Sequence, residues 1–265
     1  MTEIQYRGGK LSYDVIDLTP PWIAAPDTIL FHHGVGASMG CWAGWLPALA
    51  GRYRIVRFDM RGHGGSPVPV NFEWSLDGMV DDLLAVADAA GAVRFHLVGE
   101  SIGGTVALAC AARSGGRLRS LIVCNGAHFG GSIRNVESWR GIIERDGMAG
   151  WSAHMMEQRF VEGGLDAARA AWFEAQQAAA EPGAILDALA VLTGVDLAPE
   201  LGEIAASTLI LHPDSSPFIP VEVMADLHRR IAGARLRVFP QARHGLPFSH
   251  DCECAAAVRD FLAAL

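Results

Sequence analysis

The sequence contains no apolar run of the roughly 18 residues that a membrane-crossing helix needs, so no membrane partner is expected. Its opening stretch, MTEIQYRGGKLSYDV, lacks the apolar centre of a secretory signal, and a cytoplasmic location is the resulting expectation. Basic character is also missing. Lys and Arg number 21 against 29 Asp and Glu, a net charge of −8, which argues against nucleic-acid binding through a basic surface. An anionic small-molecule substrate stays compatible with this balance, because a local arginine cluster can sit within an acidic exterior. The five cysteines, Cys41, Cys110, Cys124, Cys252 and Cys254, are odd in number and scattered, so they do not read as a disulfide framework. Cys252 and Cys254 are spaced too closely for a zinc pair and have no second pair beside them. They read as helix-face thiols, and neither metal nor cofactor is expected. There is no internal repeat, and no low-complexity segment beyond an Ala-rich stretch around 167–180.

What is present is a 265-residue chain that is 51% hydrophobic and 19% charged, enough for a sizeable core. Short apolar runs at 29–32, 54–58, 95–98, 121–124, 208–211 and 236–239 each end at a Gly, Asp, Asn or Pro turn. Such runs are the pattern of buried parallel strands. Helical patterns lie between them at 75–90, 104–113, 221–231 and 252–265. The alternation predicts an α/β fold with a mostly parallel sheet and helices on both faces. From 132 to 201 it stops, and four helical stretches appear instead, at 136–146, 150–160, 165–180 and 184–192. A lid of helices over the sheet is predicted there, with residues 1–131 and 202–265 forming the core domain.

The chemistry begins at Gly99-Glu100-Ser101-Ile102-Gly103-Gly104. This G-x-S-x-G stretch lies directly between a strand and a helix, the setting in which a tight turn lifts a serine hydroxyl over the sheet. A turn with an incidental serine is the plainer alternative. His33-Gly34-Val35-Gly36 follows the first core strand. The N–H groups of Val35 and Ile102 are candidate oxyanion donors. A serine hydroxyl needs a base, and His244, after the last strand, is the candidate, with His250 as its nearby rival. The acid that orients the imidazole is expected to be Asp214, the only carboxylate in the loop 212–220. The alternative use of Asp214 is as a turn former.

These segments together resemble the α/β-hydrolase superfamily over nearly the whole chain. The stretch Asp59-Met60-Arg61-Gly62-His63-Gly64-Gly65-Ser66 is similar to that superfamily's D-x-R-G-x-G-x-S turn. Within it, the chain most resembles the 3-oxoadipate enol-lactonases. The resemblance rests on His33-Gly34-Val35-Gly36 with Trp42, Cys124-Asn125, Trp139-Arg140, Gly147-Met148 and Arg159-Phe160. It places the acid four or five residues before Pro220, where this chain has Ser216 and Ser215. Some relatives carry the acid one strand earlier, where this chain has Asn125. Either the loop shifts to bring Asp214 in, or the triad is degenerate.

The lid segment holds Arg134, Arg140, Arg145, Arg159 and Arg169, with Trp139, Trp151 and Trp172. Arginine suits carboxylate recognition. Arg134 and Arg159 are the candidates for facing inward, with Trp139 beside the substrate and the other arginines solvated or paired. The leading expectation is a serine hydrolase for a small ester or lactone, including a carboxylated enol-lactone, working through an acyl-enzyme. The alternatives are a C–C bond or amide hydrolase of ring-cleavage products and a non-catalytic binding protein on the same fold. A homodimer is left open.

Overall fold

The computed structural model describes residues 2–265. In chain order the elements are β1 (Thr2–Tyr6), β2 (Gly9–Ile16), β3 (Thr28–His32), α1 (Leu46–Leu49), β4 (Arg54–Phe58), α2 (Leu76–Ala89), β5 (Phe95–Glu100), α3 (Ile102–Arg113), β6 (Leu118–Cys124), α4 (Trp139–Arg159), α5 (Ala167–Ala178), α6 (Pro182–Thr193), β7 (Ser207–Pro213), α7 (Val221–Arg230), β8 (Arg235–Phe239), α8 (Leu246–Ser249) and α9 (Asp251–Ala263). The strands form one eight-stranded sheet in the order β1-β2-β4-β3-β5-β6-β7-β8. Every pair from β4 through β8 is parallel, and β1 and β2 join as an antiparallel edge.

The continuous apolar runs exist because the sheet is covered on both faces. Successive side chains of a strand point to opposite faces. Leu30, Val56, Leu97 and Ile210 pack into one core with α2, α3 and α7. Their neighbours Ile29, Phe31, Ile55, Val98, Leu209 and Leu211 pack into a second core with α1 and α9. α2 starts where the Ser75 side chain accepts a hydrogen bond from Gly78 N at 3.1 Å, which satisfies one orphan donor of its first turn.

Two elements lie outside the sequence reading. β1 and β2 form a hairpin through Arg7-Gly8, both at positive φ (47° and 79°), the two-residue turn that matches strand twist. β1 is mostly exposed, so it never builds an apolar run. A 3₁₀ turn at Met39–Trp45 leads into α1 and buries Trp42 and Trp45. The insert between β6 and β7 holds the expected helical stretches. The first two run together as α4 but are separate helices, divided at Gly147, whose φ of 68° and ψ of −174° are not helical. Among the described residues no helix is long and apolar enough to cross a membrane. All five cysteines are free, with Cys254 buried and Cys252 exposed on α9.

Candidate active site

β5 ends at Glu100 and α3 begins at Ile102, so Ser101 alone makes the turn between them. It does so at φ 56° and ψ −120°, a conformation that L-residues rarely hold. The turn is fixed from both sides: Ser101 N donates to Cys124 O at 2.9 Å, and Thr105 N donates to Ser101 O at 3.1 Å. Gly34 lies against it. A Cβ there would sit 2.0 Å from Glu100 Oε2 and 2.9 Å from Ser101 Cβ, so only glycine lets this loop approach the serine.

The loop carrying Val35 is held by imidazoles. Gly36 N donates to His63 Nε2 at 2.8 Å, and Met60 N donates to His33 Nε2 at 3.0 Å. Burial keeps both rings neutral, with His63 brought down to about 4 and His33 well below its usual value. The 59–66 turn supports that loop in its turn. Asp59 accepts from Met39 N at 2.7 Å and Gly65 N at 2.9 Å, and buried Arg61 pairs with Asp82 at 2.7 Å. Val35 N and Ile102 N donate to no acceptor among the described residues, and both residues flank the serine.

His244 brings Nε2 to 3.1 Å from Ser101 Oγ. The ring is buried, and burial first, then the charges of Arg159 and His212, hold its pKa well below 6.5. It is therefore a neutral imidazole at pH 7. His250 is engaged with its own neighbour, Ser249 Oγ, at 2.9 Å.

The structure does not bring Asp214 to His244. Asp214 is exposed, and its carboxylate accepts from Gln241 N (2.9 Å), Ala242 N (3.2 Å) and Ser215 Oγ (2.9 Å). Those amides belong to the turn before His244, so Asp214 holds the loop rather than the ring. Ser216 Oγ stands 3.0 Å from His244 Nδ1 instead. Asn125 does not reach the ring either; its Nδ2 donates to the His244 backbone oxygen at 2.6 Å. The expected effect of Asp214→Ala is accordingly a loss of about 1–2 kcal/mol of stability and less than about 3-fold in kcat/KM. A paired thermal melt and steady-state assay checks this. A loss near the 10⁴-fold typical of a missing triad partner, about that of an Asp-to-Asn change, contradicts the placement.

The cavity over Ser101 is lined by Val35, Trp139, Arg159, Leu192, Phe218 and His244, among others. Its free volume is about 20 Å³, the room of a single water. Trp139 and Arg159 of α4 and Leu189 and Leu192 of α6 occupy the space above Ser101. Trp139 is buried, with its ring against Trp151 and Phe218. Arg159 is 5% exposed, donates from Nη2 to Val35 O at 2.5 Å and leaves Nε without a partner. The other lid arginines face elsewhere. Arg134 is exposed and does not line the cavity, which corrects the expectation for it; its backbone N donates to Phe218 O at 2.9 Å. Arg145 pairs with Asp146 at 2.6 Å and Arg169 with Asp251 at 2.8 Å.

Sequence reasoning did not single out Glu100 or assign a role to Ser216. Burial raises the Glu100 carboxyl to about 7, against the pull of Arg159 and the Gly34 amide. It shares a second small chamber with Cys41, Trp42, Arg159 and Phe248. Among the described residues no group of three or more His, Cys, Asp or Glu could hold a metal ion. A larger cleft of about 450 Å³, lined by Asp27, Arg94, His96 and Arg119 among others, includes neither Ser101 nor His244.

Comparison with known proteins gives the family. Residues 27–183 match the alpha/beta hydrolase fold family. The chain is 28% identical to 2-hydroxymuconate semialdehyde hydrolase of Pseudomonas sp. (strain CF600), over 89% of this chain and 86% of that protein. It is 27% identical to the putative carbamate hydrolase RutD of Caulobacter sp. (strain K31), over 89% and 90% respectively. In structure it is similar to the enol-lactonase from Burkholderia xenovorans LB400, with a TM-score of 0.90, 22% identity, and coverage of 99% of this chain and 100% of that one. With more than half of its length matched, the chain belongs to the α/β-hydrolase fold family and is a hydrolase.

Proposed function

We propose that the chain cleaves a small ester or lactone bearing a carboxylate, through an acyl-enzyme on Ser101. The observation that carries this reading is the 3.1 Å approach of His244 Nε2 to Ser101 Oγ beneath an apolar lid. Nε2 takes the serine proton as Oγ attacks the carbonyl carbon. The amides of Val35 and Ile102 receive the oxyanion, aided by the positive end of α3. The Nε2 proton passes to the leaving oxygen, and water activated by the same nitrogen then releases the acid. Among the described residues Arg159 is the only arginine lining the cavity, and its unpartnered Nε supports recognition of a substrate carboxylate.

The test compares a carboxylated phenyl ester or lactone with its neutral isostere. The expected kcat/KM ratio favours the acid by about 10-fold or more, and Arg159→Met abolishes that preference. Equal rates for both substrates refute the carboxylate assignment. Absence of any ester or lactone hydrolysis refutes the reading as a whole. Cleavage of a C–C or amide bond is the second reading, kept because the two sequence relatives are named as a semialdehyde hydrolase and a putative carbamate hydrolase rather than as an esterase or lactonase. It predicts turnover of a vinylogous diketone or an N-formyl amide in the same assay, with no lactone turnover.

A further inference from the structure

We propose that Ser216 holds His244 with its ring proton on Nε2, and that this confines the enzyme to acyl groups carried on acidic leaving groups such as enols and phenols. The inference rests on the reading of Ser101 as nucleophile.

Ser216 Oγ is surrounded by donors. Ile219 N points to it at 3.2 Å and Phe218 N at 3.4 Å. A hydroxyl oxygen has two lone pairs and one proton. With both lone pairs taken by amides, the remaining partner, His244 Nδ1 at 3.0 Å, receives the hydroxyl proton. Nδ1 is then an acceptor, and the neutral ring carries its proton on Nε2, from where it donates to Ser101 Oγ. In that form Nε2 cannot take the serine proton. The reactive form has the proton on Nδ1 and needs Ser216 Oγ to accept a third donor.

A carboxylate at this place would favour the reactive tautomer and stabilise the imidazolium that forms during attack. None is available. Asp214 is committed to the amides of Gln241 and Ala242, and Asn125 to the His244 backbone oxygen. Burial first, and then the charge of Arg159, oppose protonation of the ring. An imidazolium is therefore costly here. In acylation the Ser101 Oγ–H bond breaks, Nε2–H and Oγ–C bonds form, and the C–O bond to the leaving group breaks with its electron pair. An enolate or phenolate departs as the anion from an early transition state in which the serine proton is only partly transferred, and the proton left on Nε2 then passes to water or to the departed anion. An alkoxide must receive the Nε2 proton, so it requires the fully formed imidazolium.

The experiment measures kcat/KM for p-nitrophenyl, phenyl and ethyl esters of one acid, with wild type and Ser216→Asp. The wild type is expected to fall steeply along this series. Ser216→Asp is expected to gain about 10-fold or more on the ethyl ester and less than about 3-fold on the p-nitrophenyl ester. The acid limb of its pH profile should move upward, because the new carboxylate favours the protonated ring. An equal gain on all three esters, or no gain on the ethyl ester, overturns the proposal. Proton–nitrogen correlation spectra of the wild type, with His244 assigned by its loss in His244→Gln, read the tautomer directly and do not depend on the variant folding. A resting proton on Nε2 supports the proposal and one on Nδ1 overturns it. Unchanged p-nitrophenyl ester turnover by Ser101→Ala sinks the underlying reading instead, so the two failures are distinguishable.

Discussion

Ser101→Ala is expected to lower turnover of every ester that the wild type hydrolyses by about 10⁴-fold or more, with KM little changed. The side chain is small and only partly buried, so the variant keeps the fold. What it removes is the hydroxyl oxygen placed 3.1 Å from His244 Nε2. The amides of Val35 and Ile102 remain, and such donors with substrate binding commonly leave about 10³-fold catalysis over water. The measurement is a steady-state assay after purification from a host lacking background esterase. Retention of more than about one-hundredth of wild-type turnover would place the nucleophile elsewhere.

Gly99→Ala is expected to have the largest effect on the fold itself. A Cβ at Gly99 would lie 2.1 Å from Gly103 O and 2.8 Å from Gly104 N, both backbone atoms of the first turn of α3. Neither can turn aside as a flexible side chain could, so β5 and α3 must separate. That separation disturbs the strained Ser101 conformation and the buried packing of Val98, Ile102 and Val106. We expect a loss of at least about 4 kcal/mol, the range of severe core disruption. A domain of this size then melts about 10 °C lower or fails to accumulate as soluble protein. A melting temperature within about 2 °C of wild type would show that the elbow tolerates the methyl group.

Much of this geometry was legible in the chain because it depends on local constraints. The buried strands announce themselves as apolar runs, since both faces of the sheet are covered. The stretch 99–104 is readable because a serine between a strand and a helix at positive φ needs small neighbours. The β1–β2 hairpin was not legible. β1 lies at the sheet edge and is mostly exposed, the buried stretch of β2 is only Leu11–Tyr13 with a serine at its centre, and Arg7-Gly8 is a weak turn signal. Arg134 and Arg159 look alike in sequence. Only tertiary packing sends one into water and the other beneath the lid.

The partner of His244 shows where motif reasoning stops. Spacing from Pro220 pointed to Ser215 and Ser216, while chemistry pointed to Asp214 as the one carboxylate in the loop. The structure follows the spacing, with Ser216 Oγ at Nδ1. Asp214 is taken by two turn amides, which compete for a carboxylate as strongly as an imidazole does. Which of two adjacent groups a side chain serves is decided by loop geometry that single-residue spacing does not encode.

The most direct test is the rate of modification by a fluorophosphonate probe, followed by intact mass and peptide mapping. The account predicts one adduct, on Ser101, and a rate that falls by about 100-fold or more in His244→Gln. An adduct on another residue, or equal labelling with and without the imidazole, contradicts it.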